Sequence, residues 1–226
     1  MMSGNVEQVR QRIEAAAQRG GRVDAQSVRI LAATKYVDAG MIRQLAAAGL
    51  RDMAENRLES LVDKQSQLTD EIDLNWHFIG SLQSRKVADL ARRVSMVHSL
   101  CTESAARRLA QLEGDLCPEL LVQVNVDHDP GKDGVAPDMV RAFIAELPPA
   151  LVVSGLMTMP SFAASAESSR TAFVQLRELR DALQQEVDAR HRLTYLSMGT
   201  SQDFEVAVEE GATHVRLGRV LYAGKD

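Results

Sequence analysis

Several large classes of protein are excluded by what this chain lacks. It has two cysteines in 226 residues, Cys101 and Cys117, which is no disulfide framework and no metal-ligand spacing. A single disulfide between them stays open. No set of His, Asp or Glu has zinc-type spacing either. Positive charge is not in excess: 26 Lys and Arg stand against 31 Asp and Glu, a net charge of -5. That leaves no electrostatic footprint for nucleic acid or an anionic membrane surface. The apolar runs fall far short of the ~18–20 residues that span a bilayer. Residues 1–12 are polar and carry no signal-peptide pattern, which predicts a cytoplasmic protein. No Gly-x-Ser-x-Gly elbow raises a nucleophilic serine. No Gly-x-Gly-x-x-Gly follows the first apolar run. No low-complexity stretch, linker or composition break divides the chain, so residues 1–226 are expected to form one domain.

What is present is a repeating unit. With 45% hydrophobic and 25% charged residues, the chain suits one globular domain with a large core. Residues 6–19 have helical spacing, with Val6, Val9 and Ile13 on one face. Gly20 and Gly21 stop this helix, which is expected to close one end of the core. Short apolar strands then alternate with helices. The strands are read at 28–34, 52–55, 76–80, 95–100, 120–126, 152–157, 194–198 and 214–217. Eight such units, in a length near the ~250 residues usual for the fold, predict a (β/α)8 TIM barrel with an extra N-terminal helix. An open doubly wound sheet shares the alternation. The count of eight and the missing dinucleotide fingerprint favour closure.

In a barrel, chemistry sits where strands end and βα loops begin. Lys35 ends the first strand. A lysine there either snorkels to water or, stripped of hydration, serves as an amine nucleophile of the Schiff-base type. The loop 197–203, Ser-Met-Gly-Thr-Ser-Gln-Asp, is either a Ser/Thr helix cap or a phosphate-binding loop. Gly218-Arg219 after the eighth strand tips it towards phosphate, because barrels often build phosphate sites from the loops after strands 7 and 8. Arg216 within strand 8 needs an acceptor, either an anionic or aromatic-nitrogen ligand or a carboxylate. His77 faces the barrel centre or is structural, and His98 is alike. Asn56 is a donor at the mouth or a helix cap. One imine-forming lysine facing a phosphate cup suggests pyridoxal 5'-phosphate (PLP). A phosphosugar Schiff-base enzyme would use the same parts.

Taken together, these blocks resemble a known family. Ala33-Thr34-Lys35, Glu55-Asn56, Trp76-His77-Phe78-Ile79-Gly80-Ser81-Leu82-Gln83, His98-Ser99, Gly155-Leu156-Met157-Thr158-Met159, Ser197-Met198-Gly199-Thr200-Ser201 with Asp203, and Arg216-Leu217-Gly218 occur in the order of the PLP homeostasis proteins (YggS/PROSC type). That family is similar in fold to the alanine racemase barrel. The resemblance runs from about Val6 to Gly224. It implies PLP held by Lys35 as an internal aldimine and phosphate contacts from Ser197, Thr200, Ser201 and the Gly218 loop. It also implies Asn56 near the cofactor and Arg216 near the pyridine nitrogen, and His77 is counted with this binding set. Three positions depart from the family pattern: Ala54 for a usual glycine, Arg219 for a usual Thr or Ser, and Arg85 for a frequent Asn.

The racemases carry a further β-domain that supplies a second base, and this chain is expected to lack it. The implied function is therefore PLP binding in vitamin B6 homeostasis without established catalysis. A PLP-dependent racemase or lyase, with Tyr195 or a loop residue as second base, is the alternative. PLP-dependent apoenzymes are the expected partners, and a monomer or weak homodimer the expected state. No metal, nucleic-acid or membrane partner is expected.

Overall fold

The computed structural model describes residues 2–68, 72–112, 117–161 and 165–222. Eight parallel strands close into a barrel in sequence order: β1 (Arg29–Ala33), β2 (Asp52–Glu55), β3 (Asn75–Phe78), β4 (Met96–Leu100), β5 (Glu119–Gln123), β6 (Val153–Met157), β7 (Tyr195–Thr200) and β8 (His214–Leu217). β8 pairs back onto β1, with Leu31 opposite Arg216 and Ala32 opposite Leu217. The helices are α1 (Met2–Arg19), α2 (Ala39–Ala47), α3 (Leu58–Gln67), α4 (Val87–Ala91), α5 (Glu103–Leu109), α6 (Val140–Ala145), α7 (Arg170–Glu186), α8 (Phe204–Glu209) and α9 (Arg219–Tyr222). The expected closed (β/α)8 barrel is thus what the chain forms. Among the described residues, no helix is long and apolar enough to cross a membrane.

Strand side chains alternate between two environments, as a period of two requires. Ala32, Met53, Val97, Leu156, Leu196 and Val215 join the large core shared with the helices. Met96, Leu121 and Met157 form a separate, small cluster within the barrel, with Tyr195 against it. The interior of the barrel is therefore only partly apolar, and its remaining space is taken by buried polar groups: His77, His98, Ser197, His214 and Arg216.

Four expectations are corrected. First, α1 does not lie across an end of the barrel. It packs along the wall against α8, α9 and α2, and Arg12 and Arg19 pair with Glu205 and Glu209 of α8. Its buried stripe of Val6, Val9, Ile13, Ala16 and Ala17 fills the gap in the helical ring between β8 and β1. Second, β1 ends at Ala33 rather than Thr34, so Lys35 lies in a turn. Third, β5 stops at Gln123, because Val124 turns to bridge with Val135. Fourth, β7 runs on to Thr200 rather than ending at Met198, so Ser197 lies three residues inside its end. Asn56 and Thr200 or Ser201, offered by the sequence as caps, are not the N-caps of α3 and α8, which follow Arg57 and Asp203. Asp38 accepts from the Met41 N–H at 2.8 Å as the N-cap of α2, and Thr102 caps α5.

Candidate functional site at the C-terminal mouth

The strand ends gather the candidates of one quadrant, in the order β7, β8, β1, β2. The Thr34 N–H still donates to Ala54 O at 2.9 Å, continuing the ladder. The Val37 N–H then closes a turn onto Thr34 O at 3.0 Å. This turn lifts Lys35 and Tyr36 into solvent. Lys35 is exposed, the water-reaching alternative of the two that its strand-end position left open. Its Nζ stands 4.9 Å from the centroid of the Tyr36 ring, a cation–π distance.

Beneath the turn is a pair that sequence reading missed. Glu55, at the end of β2, is fully buried. Its carboxylate accepts from the Thr34 hydroxyl at 2.7 Å, the Asn56 N–H at 3.3 Å and the Lys64 ammonium. Lys64 lies on α3, is also buried, and donates to Thr34 O at 2.6 Å. The residue before Lys35 is thus clamped by a buried ion pair. The signal was present in the spacing: Leu61, Lys64 and Leu68 fall on one helical stripe, and a lysine stands where an apolar residue belongs. Asn56 is half-buried beside Gly80. A Cβ at Gly80 would stand 2.1 Å from Asn56 O, so only glycine lets the ends of β2 and β3 meet there.

The loops after β7 and β8 are joined, as a phosphate cup needs. The Gly218 N–H donates to Ser201 Oγ at 3.0 Å. Thr200 offers its N–H and hydroxyl to Asp203 Oδ1, at 2.7 and 2.9 Å. Gly199, at φ +90, brings its Cα against Ala207 and Phe204, where a Cβ would stand 2.6 and 3.0 Å away. Gly218 sits beside Ala33, and Tyr222 Oη donates to Ala33 O at 3.2 Å. The Thr200, Ser201 and Gly218 loops therefore adjoin the Lys35 turn. Arg219 is exposed at the start of α9.

Two of the expected binding residues lie elsewhere. Ser197 is fully buried within β7, where its hydroxyl accepts from Arg216 Nη1 at 2.8 Å and sits 2.8 Å from His98 Nδ1. It does not face the loop cluster that the phosphate reading placed it in, because β7 extends three residues past it. His77 lies deeper still. It is buried in β3, 3.1 Å from His98 and 3.2 Å from Asp52 at the start of β2. Arg216 has the buried position expected, and its guanidinium donates to Ser197 Oγ and to Thr158 O, both at 2.8 Å. Both acceptors are neutral oxygens, and burial pushes the guanidinium down to about 10. A donor-only group held this way suits an acceptor such as a ring nitrogen or an anion.

Fold and strand-end loops together define a closed (β/α)8 barrel with its polar candidates gathered at the C-terminal mouth. One exposed lysine stands at its mouth beside joined hydroxyl and glycine loops, with a buried arginine in β8. The chain belongs to the alanine racemase N-terminal domain family, which it matches over residues 5–226. It is 40% identical over 219 residues to the pyridoxal phosphate homeostasis protein of Aquifex aeolicus, covering 95% of this chain and 94% of that one. It is also 40% identical over 226 residues to the protein of the same name in Pseudomonas aeruginosa, covering 98% and 95%. The solved structure of PipY from Synechococcus elongatus with PLP bound is 35% identical, with a TM-score of 0.79 over 92% of this chain and 100% of that one. The PipY structure without PLP superposes with a TM-score of 0.86.

Proposed function

We propose that this protein binds pyridoxal 5'-phosphate at the C-terminal mouth and serves intracellular PLP homeostasis. The observation that carries the reading is the placement of Lys35 in a solvent-facing turn, beside loops after β7 and β8 that are tied together by Gly218 and Ser201. The donor set fits the group. Ser201, Thr200 and the Gly218 backbone would receive the phosphate, Asn56 would flank the ring, and the Arg216 guanidinium would face the ring nitrogen. PLP supplies an aldehyde that a lysine amine captures covalently and reversibly. Arg216 is donor-only and keeps its own protons, so it leaves a ring nitrogen unprotonated. The relatives named for PLP homeostasis and the PLP-bound PipY structure support the same ligand.

The role is holding and delivery rather than turnover. An exposed amine exchanges its cargo with solvent and with other proteins more readily than a sealed site does. Tyr195, the candidate second base of a racemase, is the first residue of β7. It packs edge-on against His214, with ring centroids 5.0 Å apart. It therefore sits at the opposite end of the barrel from Lys35. PLP-dependent apoenzymes in the cytoplasm are the proposed recipients, from a monomer or weak homodimer.

The test is spectroscopic. Protein titrated with PLP is expected to gain a visible absorption band, and Lys35→Ala to lose it. A protein that takes up no PLP would refute the reading. Rapid deuterium exchange at the α-carbon of any amino acid would replace the holding role with an enzymatic one.

A further inference from the structure

The barrel interior carries a continuous line of hydrogen bonds from one mouth to the other, and its direction can be deduced. Arg216 Nη1 has no lone pair to offer and only donates. The Ser197 hydroxyl, fully buried between two partners, must therefore pass its own hydrogen to His98 Nδ1, 2.8 Å away. With Nδ1 accepting, the hydrogen of a neutral His98 sits on Nε2. That hydrogen points at His77 Nδ1, 3.1 Å away. His77 in turn carries its hydrogen on Nε2, which faces Asp52 Oδ1 at 3.2 Å. Every bond runs the same way, from Arg216 to the Asp52 carboxylate. Neutrality agrees with the surroundings. Burial above all, with the Arg216 guanidinium nearby, holds His98 well below the ordinary histidine range. Burial works against ionisation of Asp52, but the hydrogen bonds from His77 and Asn75 and the charge of Arg29 outweigh it and leave the carboxyl below its usual value.

We propose that His98, His77 and Asp52 are positioning residues of the Arg216 site, a one-way relay through Ser197 that ties the guanidinium to a carboxylate at the far mouth. Such a chain polarises each member in turn. It gives a buried arginine, whose direct acceptors are neutral, an indirect share of a negative charge. Asp52 pairs at 3.6 Å with Arg29 of β1. Both line a cavity of about 510 Å³ at the N-terminal mouth. The relay therefore ends where solvent and ions reach it. The other titratable groups facing the line are Tyr195 of β7 and His214 of β8, while β5 and β6 contribute Leu121 and Met157. The inference rests on the PLP reading only for what Arg216 faces.

The experiment has two arms. In the first, nitrogen-15 NMR of the ligand-free protein reads the tautomers directly. His98 and His77 are expected to be protonated at Nε2 and bare at Nδ1. Asp52→Asn is expected to shift the His98 nitrogens, although residue 52 does not touch His98. A His98 protonated at Nδ1, or His98 signals indifferent to Asp52→Asn, would overturn the relay. In the second arm, PLP is titrated into wild type, His98→Gln, Asp52→Asn and the exposed control His128→Gln. His98→Gln is expected to weaken PLP by up to about tenfold, the upper value of one hydrogen bond between neutral groups. It should also move the pH midpoint of the visible band, with Asp52→Asn moving it the same way and His128→Gln not at all. If wild type binds PLP and both relay variants match it, the relay is wrong and the PLP reading stands. If wild type takes up no PLP, that reading fails and the tautomers alone decide the relay. Should His98→Gln fold poorly, Asp52→Asn at the partly exposed end carries both arms.

Discussion

Lys64→Met tests whether a buried ion pair holds the turn that presents Lys35. The substitution keeps most of the side-chain volume and removes one charge. Glu55 would keep its carboxylate with no exposure, losing Lys64 and retaining only the Thr34 hydroxyl and the Asn56 N–H. Breaking a buried pair from one side costs about 3–5 kcal/mol, because it strands the other charge. In a chain of this length each kcal/mol lowers Tm by about 2–4 °C, so the expected loss is roughly 6–20 °C. Adding Glu55→Gln removes the stranded charge but keeps one acceptor oxygen, for Asn56 or for Thr34, which bond different carboxylate oxygens. The double variant is therefore expected to recover more than half of the loss, at least about 1.5–2.5 kcal/mol, and the coupling in the double-mutant cycle exceeds that recovery by the cost of Glu55→Gln alone. Urea unfolding of the four proteins measures it. A Lys64→Met cost under about 1 kcal/mol, the value of an exposed pair, would refute the buried-charge reasoning. PLP affinity should fall along with stability, since Lys64 also fixes Thr34 O.

Lys35→Ala should do the reverse: it loses the visible PLP band yet moves the unfolding free energy by no more than about 0.5 kcal/mol, because the side chain is exposed. Gly80→Ala puts a Cβ 2.1 Å from Asn56 O. It is expected to cost roughly 1–3 kcal/mol by overpacking and to weaken PLP, and tolerance of alanine would refute the close approach. Stability should also decline in mild acid. Burial above all lowers His98, and takes His214 to about 3, while both titrate near 6.5 once unfolded. Their contribution is complete above that value and is lost as pH falls below it, at about 1.4 kcal/mol per pH unit for each histidine. Urea midpoints that stay flat from pH 7 to pH 5 would contradict this, and His214→Phe should halve the slope.

The alternation of short apolar strands with helices, repeated eight times, was enough to specify the barrel. The outward faces of the strands need only be apolar to bury against helices, and that pattern is local. The rim position of Lys35, Thr200, Ser201 and Gly218 followed from the same count, since chemistry-bearing residues fall at strand ends. Asp38 was visible as a cap because capping is decided within four residues. The resemblance to PLP homeostasis proteins rested on blocks of the same strand ends.

Tertiary structure decided how these residues face one another. Lys35 reads as a strand-end lysine that either reaches water or loses its hydration, and a turn closed by Val37 puts it in water. Ser197 reads as a rim hydroxyl, but two more ladder residues draw it into the barrel beside Arg216. Closure brings β2, β3, β4, β7 and β8 around one axis, so that Asp52, His77, His98, Ser197 and Arg216 touch across separations of 19 to 99 residues. No local period encodes such contacts. Side-chain type and spacing say which residues line a strand, while the curvature of the closed sheet determines which of them meet at its centre.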